Sequence, residues 1–259
     1  MEATVSARRR SRLPLTADDF LAEVRQLTVD WPGKTVRIER NSVRDHWQLP
    51  ASSQPAIAEL YHENSKLFAG MIEDLAASRT DVETLRSFVT TQRSRAMHEG
   101  GWPVVALAPR LQQVLAAMLD GVPQPLLFAF DLRVAADGVL AVFDPIRKTA
   151  YGVKKVTPSE LAAGRDALAL LGPSASADAS AMLFLVASFA RNQMLFGPRG
   201  YRRTLVETGR LVERMLQGAA AACDCKLWLE YADRRIDDLA EADGVEEATV
   251  AVIEMKWSA

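Results

Sequence analysis

The sequence has 259 residues, of which 49% are hydrophobic and 25% are charged, values typical of a folded protein and not of a disordered or fibrous one. Its 31 Lys and Arg residues nearly balance 33 Asp and Glu residues, so the net charge of −2 gives no general attraction to nucleic acid or to an anionic membrane. No stretch approaches the ~20 apolar residues of a membrane span and the first residues lack a signal-peptide core, so we expect a cytoplasmic protein.

The first 54 residues are expected to form an extension ahead of the main domain. A basic cluster between Arg8 and Arg12 either binds phosphate or an acidic partner, or is a solvated terminus. Thr16 is a candidate N-cap of a helix that stops at Trp31-Pro32-Gly33, and a strand is predicted over Thr35–Arg40. A polar stretch follows, so the expected units are residues 1–54 and 55–259.

Three helices are predicted between residues 55 and 121. Apolar residues at helical spacing indicate the first over 55–77, and Asp81 is the expected N-cap of the second. The third runs from Pro109 to Asp120, because proline suits a first helical turn and Gly121 suits a left-handed stop.

The pattern then becomes extended. Strands are predicted over 126–134, 139–143 and 149–156, with a turn at Asp137-Gly138, which is typical of a hairpin or meander. Thr157 and Pro158 open a helix to Leu171, a small-residue loop covers 172–180, and a buried strand covers 182–189.

A long helix over 201–222 is the clearest element of the C-terminal part. Its expected buried face consists of Leu205, Gly209, Val212, Leu216, Ala219 and Cys223. A strand over 226–231, a helical turn or two over 236–242 and a closing strand over 249–257 follow. This mixture predicts an α+β or α/β protein with antiparallel strands.

Four segments, in this order, are similar to those of SagB/ThcOx-type azoline dehydrogenases, which act on azoline-containing peptides. They are Tyr61-His62-Glu63-Asn64-Ser65-Lys66, the hairpin that ends in Phe143-Asp144-Pro145, Arg199-Gly200-Tyr201-Arg202 with Glu207-Thr208-Gly209, and Asp243-Gly244-Val245-Glu246-Glu247. The resemblance extends from Tyr61 to about Met255. It implies a nitroreductase-like fold with a mixed, largely antiparallel sheet and packed helices, preceded here by the N-terminal extension.

The same resemblance implies an FMN-dependent oxidoreductase that turns the thiazoline or oxazoline of a peptide into an azole. A base removes a proton from the ring while hydride passes to the flavin. The implied assembly is a homodimer, or a heterodimer with a related subunit, with FMN at the interface. Its partners are a peptide substrate or a modifying enzyme.

The run Arg93-Ser94-Arg95 is the best match to the phosphate contact of these enzymes. Two guanidiniums around a hydroxyl can hold a phosphate, although arginines also suit a solvated helix end. We therefore take Arg93, Ser94 and Arg95 as the candidate cofactor-binding residues.

Three other positions depart from the pattern of these enzymes. Leu195-Phe196 replaces a Lys-Tyr pair, Val122–Pro125 replaces a longer Gly-containing stretch, and Leu229-Glu230 replaces a Gly-Gly pair. Tyr201 is the candidate catalytic residue, with Glu207, Lys226 and Glu230 as further candidate bases, each of which is also explained by packing or capping. Two hypotheses remain: a dehydrogenase or its degenerate companion subunit, and a binding or scaffold module in which residues 1–60 grip a leader peptide or partner enzyme.

No metal site is expected. The residues that suggest one are His46, His62, His98, Cys223 and Cys225, and Cys-x-Cys is not the spacing of structural zinc sites. No phosphate-binding glycine loop and no nucleophile elbow is present in the sequence either.

Overall fold

The computed structural model describes residues 69–169, 180–197 and 199–257, with side chains from Val82 onward. The predicted extension 1–54, the segment Tyr61–Lys66 and most of the loop 172–180 lie outside the described residues.

Helices and strands are mixed along the described chain. In order they are α1 (Ala69–Glu99), β1 (Val104–Val105), α2 (Pro109–Leu119), a 3-10 helix (Gln124–Leu127), β2 (Phe130–Ala136), β3 (Val139–Asp144), β4 (Thr149–Lys155), α3 (Pro158–Leu168), β5 (Ala181–Ser188), α4 (Phe189–Phe196), α5 (Arg199–Ala219), β6 (Asp224–Trp228), α6 (Asp233–Ala240) and β7 (Glu247–Lys256).

One sheet of seven described strands organises the fold. Its strand order is β1-β4-β3-β2-β5-β7-β6, and every pairing among these strands is antiparallel. The sequence prediction of an α+β protein with an antiparallel sheet is therefore confirmed.

Helices cover both faces of this sheet, which explains why β5 is apolar throughout. Leu183, Leu185 and Ala187 of β5 face the core that includes α1, α2 and α5. The alternate residues of β5, with Met182 and Phe184 among them, face a second core with α3 and α6. Because side chains alternate across a strand, a strand covered on both faces needs a continuous apolar run.

Local signals located several element ends correctly. Asp137 and Gly138 have φ of 50° and 76° between β2 and β3, as a two-residue hairpin turn requires. Thr157 caps α3 in a reciprocal capping box with Glu160, and Gly121 follows α2 with φ of 66°. The hairpin, the cap and the stop of α2 were all predicted.

The predicted N-cap at Asp81 is wrong, because α1 continues through this residue as one helix of 31 residues. The chain around it has no Gly or Pro to end the helix, and an aspartate is tolerated inside a long one. The strand predicted from residue 126 is also shorter than expected. Residues Gln124–Leu127 form a 3-10 turn, whose first residues include Pro125, and β2 begins at Phe130.

The predicted buried face of α5 is wrong in its first half. Leu205 is 45% exposed, and Gly209 is exposed, with nothing within 4 Å of the place where a Cβ would lie. Val212 and Ala219 are buried as expected. The residues that α5 buries instead include polar ones; they are Gly200, Thr204, Glu207, Thr208, Leu211, Val212, Met215 and Ala219. This buried face was not predicted because several of its residues are polar, and hydropathy periodicity assumes that polar residues point to solvent.

Among the described helices, none is both long and apolar enough to cross a membrane.

Candidate functional site

Glu207, one of the candidate bases, lies at the centre of a buried ion-pair network. Its carboxylate accepts hydrogen bonds from Arg86 Nη2 at 2.6 Å and from Arg203 Nε at 2.7 Å. Asn192 Nδ2 donates to the same carboxylate at 3.1 Å, and Glu83 pairs with both arginines at 3.3 and 2.9 Å. Glu207 therefore serves as the counter-ion that joins α5 to α1, and its lone pairs are engaged by donors.

The two residues that replace the Lys-Tyr pair are buried beside this network. Leu195 is 2% exposed and Phe196 is 9% exposed. The guanidinium of Arg203 lies 4.2 Å from the centre of the Phe196 ring, a cation–π geometry. Neither side chain has a group that can exchange a proton, so this position contributes packing and not acid–base chemistry.

Close packing of α4 on α5 depends on the glycine of the Arg-Gly-Tyr-Arg segment. A Cβ placed on Gly200 would lie 2.4 Å from the backbone carbonyl of Asn192 and from the nitrogen of Gln193. Only a residue without a side chain permits this approach. The segment that resembles azoline dehydrogenases is thus required for the contact between these two helices.

The predicted phosphate-binding run lies near the end of α1, and its side chains point in different directions. Ser94 is 3% exposed and donates to a carboxylate oxygen of the fully buried Asp144 at 2.6 Å. Arg95 is exposed and pairs with Glu99 at 2.7 Å. Arg93 points toward β2. Consecutive helix residues are about 100° apart around the axis, so these three groups do not converge.

Arg93 belongs to an arginine cluster formed by Arg93, Arg133 and Arg191 with Asp131 and Glu247. Asp131 pairs with Arg93 and, at 3.0 Å, with Arg191. Glu247 pairs with Arg133 at 2.7 Å and with Arg191 at 3.6 Å. Burial and the adjacent charge of Arg191 lower the pKa of Arg93 to about 9, and burial lowers the pKa of Arg191 to about 10. The charge of Asp144 also acts on Arg93, so three arginines meet three carboxylates in this region.

The described residues do not fit an FMN site held by this chain alone. The arginine cluster is occupied by its own carboxylates, and the Ser94 hydroxyl donates to Asp144. The last two residues of the segment Val122–Pro125 belong to the 3-10 turn, and none of its four residues is small enough for a flat ring to lie along the backbone. Leu229 and Glu230, in place of the Gly-Gly pair, are both exposed just beyond β6.

Tyr201, the candidate catalytic residue, lies at the start of α5 against α4. Its ring stacks on that of Phe189 with centroids 4.8 Å apart. Both rings line an open cleft of about 840 Å³ that also reaches the loop before β7. None of the three residues of the run on α1 lines this cleft, and Arg93 and Ser94 line a different and much smaller cavity of about 20 Å³.

The remaining candidate base, Lys226, lies on the edge strand β6. Its ammonium group is 3.7 Å from the ring centre of Trp228, and the indole of that residue donates to the buried Glu254 at 2.9 Å. In the sheet, β5 and β7 separate β6 from the hairpin β2–β3. Lys226 is not one of the described residues that line the Tyr201 cleft.

The two cysteines are neighbours at the start of β6. Their sulfur atoms lie 3.0 Å apart, and both thiols are half-buried and free. Burial is the main cause that raises the pKa of Cys225. Within the described ranges no group of three or more His, Cys, Asp or Glu residues is arranged to hold a metal ion; His98 lies at the exposed end of α1, and His46 and His62 lie outside those ranges.

The residues of these sites that were not singled out from the sequence include Arg86, Asp131 and Arg191. Of these, Asp131 carries a charge within an otherwise apolar segment. Burial of an unpaired charge is costly, so an isolated charge in such a run indicates a buried partner. That signal was present in the sequence, but it does not say which arginine meets which carboxylate.

Comparison with solved structures identifies the fold. A candidate nitroreductase from Anabaena variabilis ATCC 29413 matches with a TM-score of 0.53 at 16% identity, over 78% of this chain and 46% of that chain. The chain has a nitroreductase-like fold. The predicted nitroreductase-like sheet is thereby confirmed.

Two further structures match less closely. One is the E. coli microcin synthetase McbBCD complex with truncated pro-MccB17 bound, with a TM-score of 0.49 at 14% identity, over 57% of this chain and 63% of that chain. The other is a candidate nitroreductase from Ralstonia eutropha JMP134, with a TM-score of 0.45 at 15% identity, over 61% of this chain and 77% of that chain. The chain thus spans 46% and 63% of the Anabaena and E. coli chains. No protein-family model and no curated protein sequence matches it.

Proposed function

We propose that this protein is a companion subunit in a peptide-modifying assembly that converts azolines to azoles. In this proposal the chain pairs with a related, active subunit, and that subunit holds FMN and supplies the proton-transfer base. The peptide substrate or modifying enzyme is then the further partner.

The observation that carries the proposal is the burial of Leu195 and Phe196. In azoline dehydrogenases this position is occupied by a Lys-Tyr pair, and here both side chains belong to the core. The segments on either side resemble those of azoline dehydrogenases in the same order. Two of their residues hold α5 in place: Gly200 permits its contact with α4, and Glu207 pairs with Arg86 of α1. The residues that pack the helices are present, whereas the groups that could transfer a proton are absent at residues 195 and 196. This combination favours a protein that keeps the fold and has a different activity.

The position of Arg93 favours a site shared between two chains. Its side chain extends from α1 toward β2 and is 27% exposed, although it pairs with Asp131. An isologous or pseudo-symmetric interface places the same region of two related chains together. We therefore propose that the end of α1 that carries Arg93 and Arg95 faces the flavin of the partner subunit, while the buried Ser94 has a structural role.

The test is an absorbance scan of the purified protein, alone and co-purified with a related subunit, with the released flavin identified by chromatography. We expect the visible flavin bands only in the mixed complex. Stoichiometric flavin in this chain alone would overturn the companion-subunit proposal.

The alternative that this chain is itself the dehydrogenase depends on Tyr201 as the base. Replacement of a general base typically lowers the rate 10²–10⁴-fold. Tyr201→Phe in the mixed complex is therefore compared with Tyr231→Phe, which removes a hydroxyl that donates to the Thr249 carbonyl at 2.7 Å. A loss on the order of 10²–10⁴-fold with Tyr201→Phe and not with Tyr231→Phe would favour the enzyme.

A further inference from the structure

The two cysteines of the chain lie next to each other at the start of β6, and the proposed flavin chemistry does not use them. Cys223 comes directly before β6, and Cys225 is the second residue of that strand. Because side chains alternate across an extended chain, residues 223 and 225 share a face, and both pack against the core of α1, α2 and α5. Their sulfur atoms are 3.0 Å apart, so a small shift of the side chains brings them to bonding distance.

An open cavity makes one of the two thiols accessible to a small molecule. The cavity lies between the end of α5, the start of β6 and the end of β7, and its volume is about 630 Å³. Cys223 is half-buried and lines it, whereas Cys225 is not among its described lining residues. A molecule in this cavity is therefore adjacent to Cys223 and not to Cys225.

The surroundings of Cys223 carry positive charge. Arg110 of α2 lines the cavity, and its Nη2 donates to the carbonyl of Ala222, the residue before Cys223, at 2.6 Å. Lys256 of β7 also lines the cavity, opposite Asp224 in the register of β6 and β7. Two cations and one carboxylate thus belong to the described lining. Reactive cysteines are typically found in partly exposed, electropositive surroundings, because the thiolate is the nucleophile.

Cys225 has a different environment from Cys223. Burial, followed by the hydrogen bond with Cys223, raises the pKa of Cys225, so this residue stays a protonated thiol beside the Cys223 sulfur. One accessible thiol with a second, protected thiol in contact is the arrangement of an attacking and a resolving cysteine. The second step is intramolecular, and groups held in contact react with a high effective concentration.

The sequence spacing determines how stable the resulting bond is. A single residue, Asp224, separates the two cysteines, so a disulfide between them closes a small and strained ring. Strained disulfides are easily reduced, whereas structural ones resist reduction. The pair is therefore suited to a bond that forms and opens reversibly.

We propose that Cys223 and Cys225 form a redox-active dithiol that reduces a small disulfide, RSSR, and closes to an intramolecular disulfide. The Cys223 thiolate attacks one sulfur of RSSR, which breaks the S–S bond, forms a Cys223–SR bond and releases RS⁻. Cys225 then loses its proton and attacks the Cys223 sulfur, which releases the second RS⁻. The two thiols lose two electrons and two protons, and one RSSR becomes two RSH. Excess RSH reverses both steps.

The probe is glutathione disulfide, added to the reduced full-length protein. Free thiols are then alkylated with N-ethylmaleimide and counted by mass spectrometry of the intact chain. We expect the protein to lose both thiols without retaining glutathione, and to regain both in an excess of reduced glutathione. Because the chain has two cysteines, the loss of both in a monomeric chain identifies the bond between them.

A matched pair of variants tests the order of attack. Cys225→Ser removes the resolving thiol, so one glutathione should accumulate on Cys223. Cys223→Ser leaves only Cys225, which does not line the cavity, and its glutathione adduct should form at least about tenfold more slowly. Both variants replace one thiol by a hydroxyl on the same face of the chain, so each controls for the other.

Retention of both thiols by the unchanged protein in an excess of glutathione disulfide would overturn the proposal. A stable glutathione adduct on the unchanged protein, or a disulfide-linked dimer in place of the intramolecular bond, would do the same. Equal rates of adduct formation in the two variants would contradict Cys223 as the attacking thiol. These measurements need no flavin and no partner subunit, so their outcome is independent of the proposed function.

Discussion

Arg86 on α1 and Glu207 on α5, 121 residues apart in sequence, form an ion pair of 2.6 Å with both side chains almost fully buried. Arg86 also lies over the ring of Phe128 at 5.4 Å, so one guanidinium joins a helix, the network around Glu207 and the segment that leads into β2. Removal of Glu207 would leave the buried Arg86 with Glu83, a carboxylate at 3.3 Å whose side chain is 39% exposed.

We expect Glu207→Gln to lower the free energy of unfolding by up to about 3–5 kcal/mol, because Arg86 and Arg203 lose the buried one of the two carboxylates that they share and keep only the more exposed Glu83. Urea denaturation measures the change. Glu213→Gln is the control, since Glu213 is exposed on the same helix and bonds only Gln217 among the contacts described. If both variants lost the same stability, the network would not be the cause.

Gly200→Ala and Gly209→Ala should change stability in opposite directions. The first places a methyl group against the Asn192 backbone and should cost about 1–3 kcal/mol or more, because backbone atoms must move. The second adds a methyl group in open space on an exposed helix face and should stabilise by about 0.5–1 kcal/mol. Thermal unfolding of both variants measures this difference, and a neutral Gly200→Ala would contradict the close contact of α4 and α5.

Restoration of the Lys-Tyr pair should fail for a structural reason. Leu195→Lys puts an ammonium group into the core and should destabilise by about 4 kcal/mol or more, whereas Phe196→Tyr should cost about 1–3 kcal/mol. We expect no gain in flavin reduction by the double variant in the mixed complex. A stable Leu195→Lys variant that reduces flavin would show that this side chain faces a reaction site and not the core.

Ser94→Ala distinguishes a structural serine from a phosphate ligand. The Ser94 hydroxyl satisfies Asp144, which is fully buried, so its loss should cost about 1.5–3 kcal/mol, as for a hydrogen bond to a charged group. Ser87→Ala is the control, because that hydroxyl donates to a backbone carbonyl within α1. Chemical denaturation that shows no difference between the two would argue against a structural role for Ser94.

The loop before β7 should respond to acid through Asp243. The three backbone N–H groups, led by that of Glu247, favour the ionised carboxylate and hold the pKa of Asp243 below its ordinary value of 3.8. Its contribution is present above the unfolded pKa and is lost as the pH falls through the lower folded pKa.

A pH titration of the Val245 and Glu246 amide shifts should therefore show a midpoint below 3.8. Asp243→Asn should abolish this transition and leave the other titrations in place. A midpoint at or above the ordinary value would mean that the Asp243 carboxylate does not hold the loop.

The sequence by itself determined the features that depend on neighbouring residues. The Asp137-Gly138 turn, the Thr157 cap and the stop at Gly121 follow from backbone preferences within a few residues, and the continuous apolar run of β5 requires a strand covered on both faces. The resemblance of four segments, in order, to those of azoline dehydrogenases also implied the nitroreductase-like fold.

Only the tertiary structure decided the roles of the charged residues. The sequence is consistent with Glu207 as a base or as a packing or capping group. Its role as a counter-ion follows from its ion pair with Arg86, which lies 121 residues away in sequence. Arg93, Ser94 and Arg95 are adjacent in sequence but have separate partners, because a helix turns each side chain in a different direction. Burial of a charge is favourable only when a partner from another element compensates it. The pairs found here depend on how α1, β2, α4 and α5 pack together, and local sequence patterns do not specify that packing.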